Sequence, residues 1–279
     1  MIRSLLSPGA SWQATRELVA LLTRHWQLTY EMARREVSER YTGHMLGMFW
    51  SLGHPLVMMA VYIFIFQFVF SIRLPGGSGQ PRDYTLYLLS GLIPWMTLSE
   101  AMTKSCSVIV VNGNLVKQVI FPVEVLPVKS VLASLLNQVI FTVLLLGFVL
   151  VTQHSLPWTW ALLPGLILLQ VLLMVGLGYL LSSVGVFIRD LRDFASIVVT
   201  VGVYAAPIFY TVDMVPERLR FLIYLNPFTY PIECFHDLCY SGRIAHPWAW
   251  AATVAMSLLA FYFGYRVFRK LKSLFGNVL

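Results

Sequence analysis

Glu100 and Lys104 are the residues of this sequence best placed to act through charge. They lie four apart, acid first, so on a helix they share one face within salt-bridge reach. Both fall inside an apolar run, Tyr84 to Val111, where an ionisable group is costly and points to function. Two readings stay open: a carrier passing a proton or ion through the pair, or a self-neutralising pair that faces a water-filled lumen or holds a bend near Pro94. Aromatic rings form the second set. Tyr62, Phe66 and Phe70 share one helical face, Phe64 and Phe68 occupy another, and Tyr204, Phe209 and Tyr210 gather around Pro207. Rings with a polar edge suit sugar faces, which offer C–H groups to stack and hydroxyls to hydrogen-bond. Packing against lipid and an interfacial aromatic belt is the competing account.

Other chemistry is missing from the sequence. No G-x-x-x-x-G-K-[ST] occurs, so ATP cannot be bound through a P-loop. There is no His/Cys/Glu cluster at metal spacing and no Gly-x-Ser-x-Gly elbow. Cys106, Cys234 and Cys239 read as small apolar fillers. A membrane enzyme is disfavoured, because no carboxylate or histidine constellation sits at a membrane face.

The elements that must position these residues are long and apolar. Of the 279 residues 58% are hydrophobic and 12% charged, with mean hydropathy +0.72, which excludes an ordinary soluble domain. About 20 apolar residues at 1.5 Å per residue cross a hydrocarbon core. Six runs qualify: Leu46 to Phe70, Tyr84 to Val111, Leu126 to Thr152, Trp158 to Phe187, Phe194 to Tyr210 and Trp248 to Phe268. The fold class is therefore an all-α polytopic membrane protein with six transmembrane helices. An even count puts both termini on one side. Arg3, Arg16, Arg24, Arg34, Arg35, Arg40, Lys117, Lys129, Arg189, Arg192, Arg266, Arg269, Lys270 and Lys272 flank the spans on that side; Arg73, Arg82, Arg218, Arg220 and Arg243 lie on the other. The asymmetry places both termini in the cytoplasm. It also accounts for the net charge of +7 without a nucleic-acid partner. The first dozen residues lack the apolar core of a cleavable signal, so insertion is expected to fall to the first span.

Three segments outside the spans carry signals. Residues 1–45 form a cytoplasmic segment in which Leu18, Leu21, Leu22 and Trp26 mark an amphipathic interface helix, followed by the charge-dense stretch Glu31 to Tyr41. That stretch is either a dock for a soluble partner or a solvated face that positions the first span. Within 112–124, Asn112-Gly113-Asn114 signals a turn and Pro122 a stop. Leu115, Val116, Val119 and Ile120, with Lys117 beside them, form an apolar stripe on a helix of about two turns, to be covered by a partner protein or the bilayer. In the outer loop, one apolar piece runs from Pro216 to Asn226-Pro227 and a second from Phe228 to Tyr240. Both are too short to span, so the segment 215–241 is expected to dip into the outer leaflet and return. Such backbone survives at membrane depth only against protein or a cavity, which ties the hairpin to a pathway.

Several motifs together resemble the ABC-2-type permeases that export polysaccharides. Arg35-Glu36, Arg40-Tyr41, Leu46-Gly47, Trp50 and Pro55 are similar to that family's approach to span one, and Ser90-Gly91-Leu92-Ile93-Pro94-Trp95 to its second-span signature. Asn112 to Pro127, Phe187-Ile188-Arg189-Asp190, Pro207-Ile208-Phe209-Tyr210 and Asn226-Pro227 follow in order. The likeness covers about residues 28 to 272 and is closest to the O-antigen (lipopolysaccharide) exporters.

The resemblance implies a permease domain at 46–268 with a cytoplasmic tail at 269–279. It implies a homodimer paired with two copies of a separate ATPase, which binds ATP and Mg while this chain binds no cofactor and is no enzyme. Leu115, Val116, Lys117, Val119 and Ile120 would couple to the ATPase. Pro216, Leu219, Leu222, Asn226, Pro227, Phe235 and His236 would belong to an outer gate. Tyr62, Phe66, Phe70, Tyr204, Phe209 and Tyr210 would line a channel at the dimer interface. Arg34, Arg35 and Arg40 would attract the phosphate of a lipid-linked glycan in the bacterial inner membrane, or instead pair with Glu31, Glu36 and Glu39. Teichoic acid, capsule or another amphiphile is the alternative cargo, and an ion-coupled secondary carrier the alternative class.

Overall fold

A computed structural model describes residues 20, 23–42, 47–70, 81–117 and 121–278. Among them the regular structure is entirely helical. Helix α1 spans Trp26–Tyr41; α2 spans Trp50–Ile63 and runs on as a π-helical turn, Phe64–Val69. Then come α3 (Pro81–Val111), the single turn α4 (Gly113–Val116) and α5 (Val125–Gln153). A 3₁₀ turn at Trp158–Leu162 leads into α6 (Leu163–Gly185), followed by α7 (Leu191–Ala205). Two short helices follow, α8 (Arg220–Leu225) and α9 (Thr229–His236), the latter extended by a π turn, Asp237–Ser241. The long α10 (Pro247–Val278) ends the chain.

Among the described residues four helices are long and apolar enough to cross a membrane: Trp50–Val69, Val125–Gln153, Trp158–Gly185 and Pro247–Gly276. The count of six expected from sequence is thus met in part. Helix α3 has the length, at 31 residues, but Asp83, Glu100 and Lys104 dilute its apolar character. Helix α7 has the character but only 15 residues, because it ends at Ala205, two before Pro207, rather than at Tyr210.

Helix α3 is the hub, packed against α5, α6, α7 and α9. Helices α6 and α10 make the most extensive pairing. A Cβ on Gly176 would sit 2.3 Å from the backbone of Ala260, and one on Gly264 only 1.9 Å from the Gly176 carbonyl oxygen. The two backbones therefore touch, as small residues permit where apolar contact with lipid gives no driving force for association. Helix α1 buries Thr29, Ala33 and Val37, spaced by four, and packs on α5. The segment read as charge-dense thus forms the packed helix, while Leu18, Leu21 and Leu22 lie outside the described residues.

Candidate functional site

The packed face of α1 meets α3 through charge. Arg40 Nη2 donates to Glu100 Oε1, and Lys104 Nζ lies 3.0 Å from the same oxygen. Lys104 also reaches Glu36 Oε1 at 2.9 Å, and Glu36 Oε2 lies 3.6 Å from Lys129 of α5. The second Glu100 oxygen accepts from Asn137 Nδ2 at 3.1 Å. The pair expected from spacing is therefore formed, but inside a five-residue ionic cluster that joins three helices. Half-buried and mutually hydrogen-bonded, these charges would be costly to separate one at a time.

Beside the cluster lies a cavity of about 680 Å³, bounded by α2, α3, α5 and α7. Arg40, Glu100 and Asn137 give its lining charge and polarity, and Trp50, Trp95 and Phe141 line it with rings. Gly202 of α7 is what lets this wall close, since a Cβ there would come within 2.6 Å of the Trp95 ring. One residue from Trp95, the Pro94 carbonyl accepts from Gln170 Nε2 at 2.9 Å, and Gln170 accepts from Gln138 at 2.7 Å. This amide chain ties α3, α5 and α6 behind the cavity.

Toward the other end of α3 the rings meet. Phe66 lies 6.5 Å from Tyr62, 5.8 Å from Phe70, 5.6 Å from Tyr84 and 6.5 Å from Phe209 between centroids. Phe209 stacks on Tyr204 at 5.4 Å, and Tyr210 donates to the Tyr204 carbonyl at 3.1 Å. The six rings singled out from sequence thus form one contiguous group joining α2 to the end of α7. Phe64 and Phe68 lie 6.4 Å apart on another face and are 61% and 66% exposed, as are Phe70 and Tyr204 of the group. The π turn at Phe64–Val69 sets this register, since an i→i+5 repeat rotates the rings relative to a continued α-helix.

The segment after α7 folds back over this group. Tyr84 donates to the Phe209 carbonyl at 2.8 Å, and the Tyr87 hydroxyl lies 2.8 Å from the Pro207 and 3.0 Å from the Tyr210 carbonyls. Helices α8 and α9 meet at Asn226-Pro227, where Thr229 donates to the Ile223 carbonyl at 2.6 Å. Phe235 and His236 are buried, and His236 stacks on Tyr87 at 3.9 Å; burial holds its imidazole down to about 3, so it stays neutral. Leu219 and Leu222, by contrast, are about half exposed. One cluster here escaped the sequence reading. Asp237, fully buried, accepts from the His246 backbone N–H at 3.0 Å and from Trp250 Nε1 at 3.1 Å, and lies 2.9 Å from His246 Nδ1. Glu233, one turn earlier, lies 3.7 Å from the same imidazole, and burial pushes its carboxyl up to about 7. Two acids four apart in an apolar piece were the available signal.

The remaining candidates scatter. Arg35 pairs with Glu39 on the exposed face of α1 at 2.7 Å, Arg34 is exposed there too, and only Arg40 reaches the cavity. Leu115 and Val116 belong to the single turn α4, with Lys117 at its end; Val119 and Ile120 lie outside the described residues. Helix α4 begins at Gly113, so the Asn-Gly-Asn triplet starts the helix rather than preceding it.

The chain is 28% identical over 256 residues to an O-antigen export system permease protein RfbA from Klebsiella pneumoniae, covering 91% of this chain and 95% of that one. It is 27% identical over 246 residues to the RfbA of Myxococcus xanthus, covering 87% and 92%. A polysialic acid transport protein KpsM from Escherichia coli is 20% identical over 243 residues, covering 84% and 90%. The model of the ABC-2 type transporter family matches residues 27–240, from α1 through the π turn that follows α9. The chain therefore belongs to the ABC-2 type transporter family, as a membrane subunit of a transporter and not an enzyme.

Proposed function

We propose that this chain is the transmembrane half of an exporter that moves a lipid-linked polysaccharide of the O-antigen type across the bacterial inner membrane. Its near full-length similarity to O-antigen export permeases from two bacteria carries this reading. The physical features agree with it. A group of rings offers many weak stacking faces to a sugar polymer, and a sliding chain needs weak, repeated contacts rather than one tight site.

Two copies of the chain work with two copies of an ATPase that binds ATP and Mg. Helices α3 and α7 complete six crossings, and both termini face the cytoplasm, a placement that the distribution of basic residues supports. Closure of the ATPase dimer is transmitted through Leu115, Val116, Lys117, Val119 and Ile120. Motion passes along α3 to the outer hairpin, where Pro216 to Tyr240 acts as the gate. The phosphate end of the substrate approaches Arg34 and Arg35 on the exposed face of α1 before reaching Arg40.

The test is a strain lacking this chain. Glycan should still be made, stay inside the cell and disappear from the surface, with export restored by the intact gene. Normal surface glycan without the chain would contradict the proposal. A capsule-type glycan is the second reading, favoured by the polysialic acid transport relative.

A further inference from the structure

Where α8, α9 and α10 converge, Tyr224, Tyr230 and Trp248 enclose a cavity of about 390 Å³. Trp248 is the common wall. Tyr224 stands at 80° to it with ring centroids 5.2 Å apart, and Tyr230 at 87° and 5.7 Å. The His246 imidazole meets the same indole at 80° and 5.8 Å. Tyr230 Oη donates to the Tyr224 carbonyl at 2.7 Å, which holds the two short helices side by side. Rings set square to one another make a box rather than a platform. A sugar stacks best on one open face, whereas a compact cation gains from several ring faces at once.

The charge around the box is mainly negative. Glu233 lies three residues beyond Tyr230 on α9, buried, with its carboxylate 3.7 Å from His246 Nδ1, and Asp237 lies 2.9 Å from the same nitrogen. Burial pushes the Tyr224 hydroxyl up and the Glu233 charge adds to this, so the carboxylate acts on the box itself. Asp213 acts in the same direction, and Arg220, 3.9 Å from Asp213, opposes both. The raised Glu233 carboxyl is the kind of group a neighbouring cation relieves, because opposite charge favours its ionised form. Depth narrows the ligand further. Trp248 sits in the first turn of the membrane-crossing stretch Pro247–Gly276, at the level where headgroups lie.

We propose that this box holds the ammonium of a phospholipid headgroup, with Tyr224, Tyr230 and Trp248 as its walls and Glu233 as its counter-charge. The headgroup pins α8 and α9 to the mouth of α10, so lipid becomes part of the hairpin's anchorage. The topology proposed above makes the leaflet the outer one. The ammonium chemistry itself does not depend on glycan export.

Native mass spectrometry of the purified full chain in detergent, titrated with defined phospholipids, tests this. Phosphatidylethanolamine should be retained at a saturable site, about tenfold more tightly than phosphatidylglycerol or N-acetylated phosphatidylethanolamine, which lacks the cation. Tyr224→Leu, at a partly exposed position that leaves folding intact, should remove this preference, and the isosteric Glu233→Gln should weaken it several-fold. Trp158→Ala changes an exposed ring that lines a separate groove beside α5 and should leave the preference unchanged. Equal retention of the N-acetylated lipid, or equal loss in Trp158→Ala and Tyr224→Leu, would show ordinary interfacial contact and overturn the assignment. Displacement of the lipid by millimolar glucosamine would assign the box to an amino sugar and overturn the lipid as its occupant. The export reading fails on a different observation, surface glycan that does not depend on the chain.

Discussion

Phe66 touches four other rings, whereas among the described residues its neighbour two positions earlier, Phe64, is mostly exposed and meets the Phe68 ring alone. Both are Phe on the same π turn, so truncating each separates path from packing. Phe66→Ala should lower surface glycan several-fold at normal protein level, and Phe64→Ala should leave it near wild type; equal loss through lower protein level would mark the rings as packing. Arg40 teaches a different lesson. The resemblance implied a phosphate ligand there, while the spacing of Glu100 and Lys104 signalled the pair that forms. That Arg40 and Glu36 complete the cluster was not legible, because the partners lie 60 and 68 residues away and only the docking of α1 on the bundle brings them together. Gly202 belongs at this scale too. Gly202→Val places methyl groups where the Trp95 ring stands, so export should fall severely while the ionic cluster keeps α1 in place, as measured by protection of a cysteine at the buried Val37 position (Val37→Cys) from thiol reagents.

Among the elements, the outer hairpin is the one with a stated pH response. The Glu233 carboxyl is raised from 4.5 to about 7, chiefly by burial, with nearby Asp237 adding and His246 opposing. A carboxyl raised in the packed state binds its proton more tightly there, so this contribution is fully present below about 4.5 and is lost as pH rises through about 7. The hairpin should loosen over that window. Thiol labelling of the buried Cys234 and Cys239 should rise from pH 5 to pH 8 faster than thiolate formation alone predicts, and Glu233→Gln should remove that extra rise. Labelling that follows thiol chemistry equally in both proteins would show the carboxyl has no grip on the hairpin. The two short helices were legible from Pro216 and Asn226-Pro227, which punctuate them. Their anchorage was not, since Tyr84, Tyr87 and Thr159 hold them from helices far away in sequence. Helices α2, α3, α5 and α6 were legible within a few residues because lipid demands continuous apolar runs, whereas α10 continues past the expected end at Phe268 to Val278, carrying the basic segment as helix. Helix α7 departed from its expected end because the backbone turns extended at Ala206, just before Pro207.

At the scale of the whole molecule, α3 connects what the other elements separate. Its charged part holds α1, its middle walls the cavity, and its other end holds the ring group and hairpin. The α6–α10 crossing is the rigid counterpart, and Gly176→Leu or Gly264→Val should abolish stable insertion rather than export alone, seen as loss of protein from membranes. The central claim is ATP-driven glycan export through this chain. Its most direct test uses inside-out membrane vesicles containing the chain and its partner ATPase, supplied with radiolabelled lipid-linked glycan. The account predicts uptake into the lumen that requires ATP hydrolysis, persists when a protonophore collapses the proton gradient, and falls several-fold in Phe66→Ala. Uptake that proceeds without ATP and stops with the gradient would contradict it.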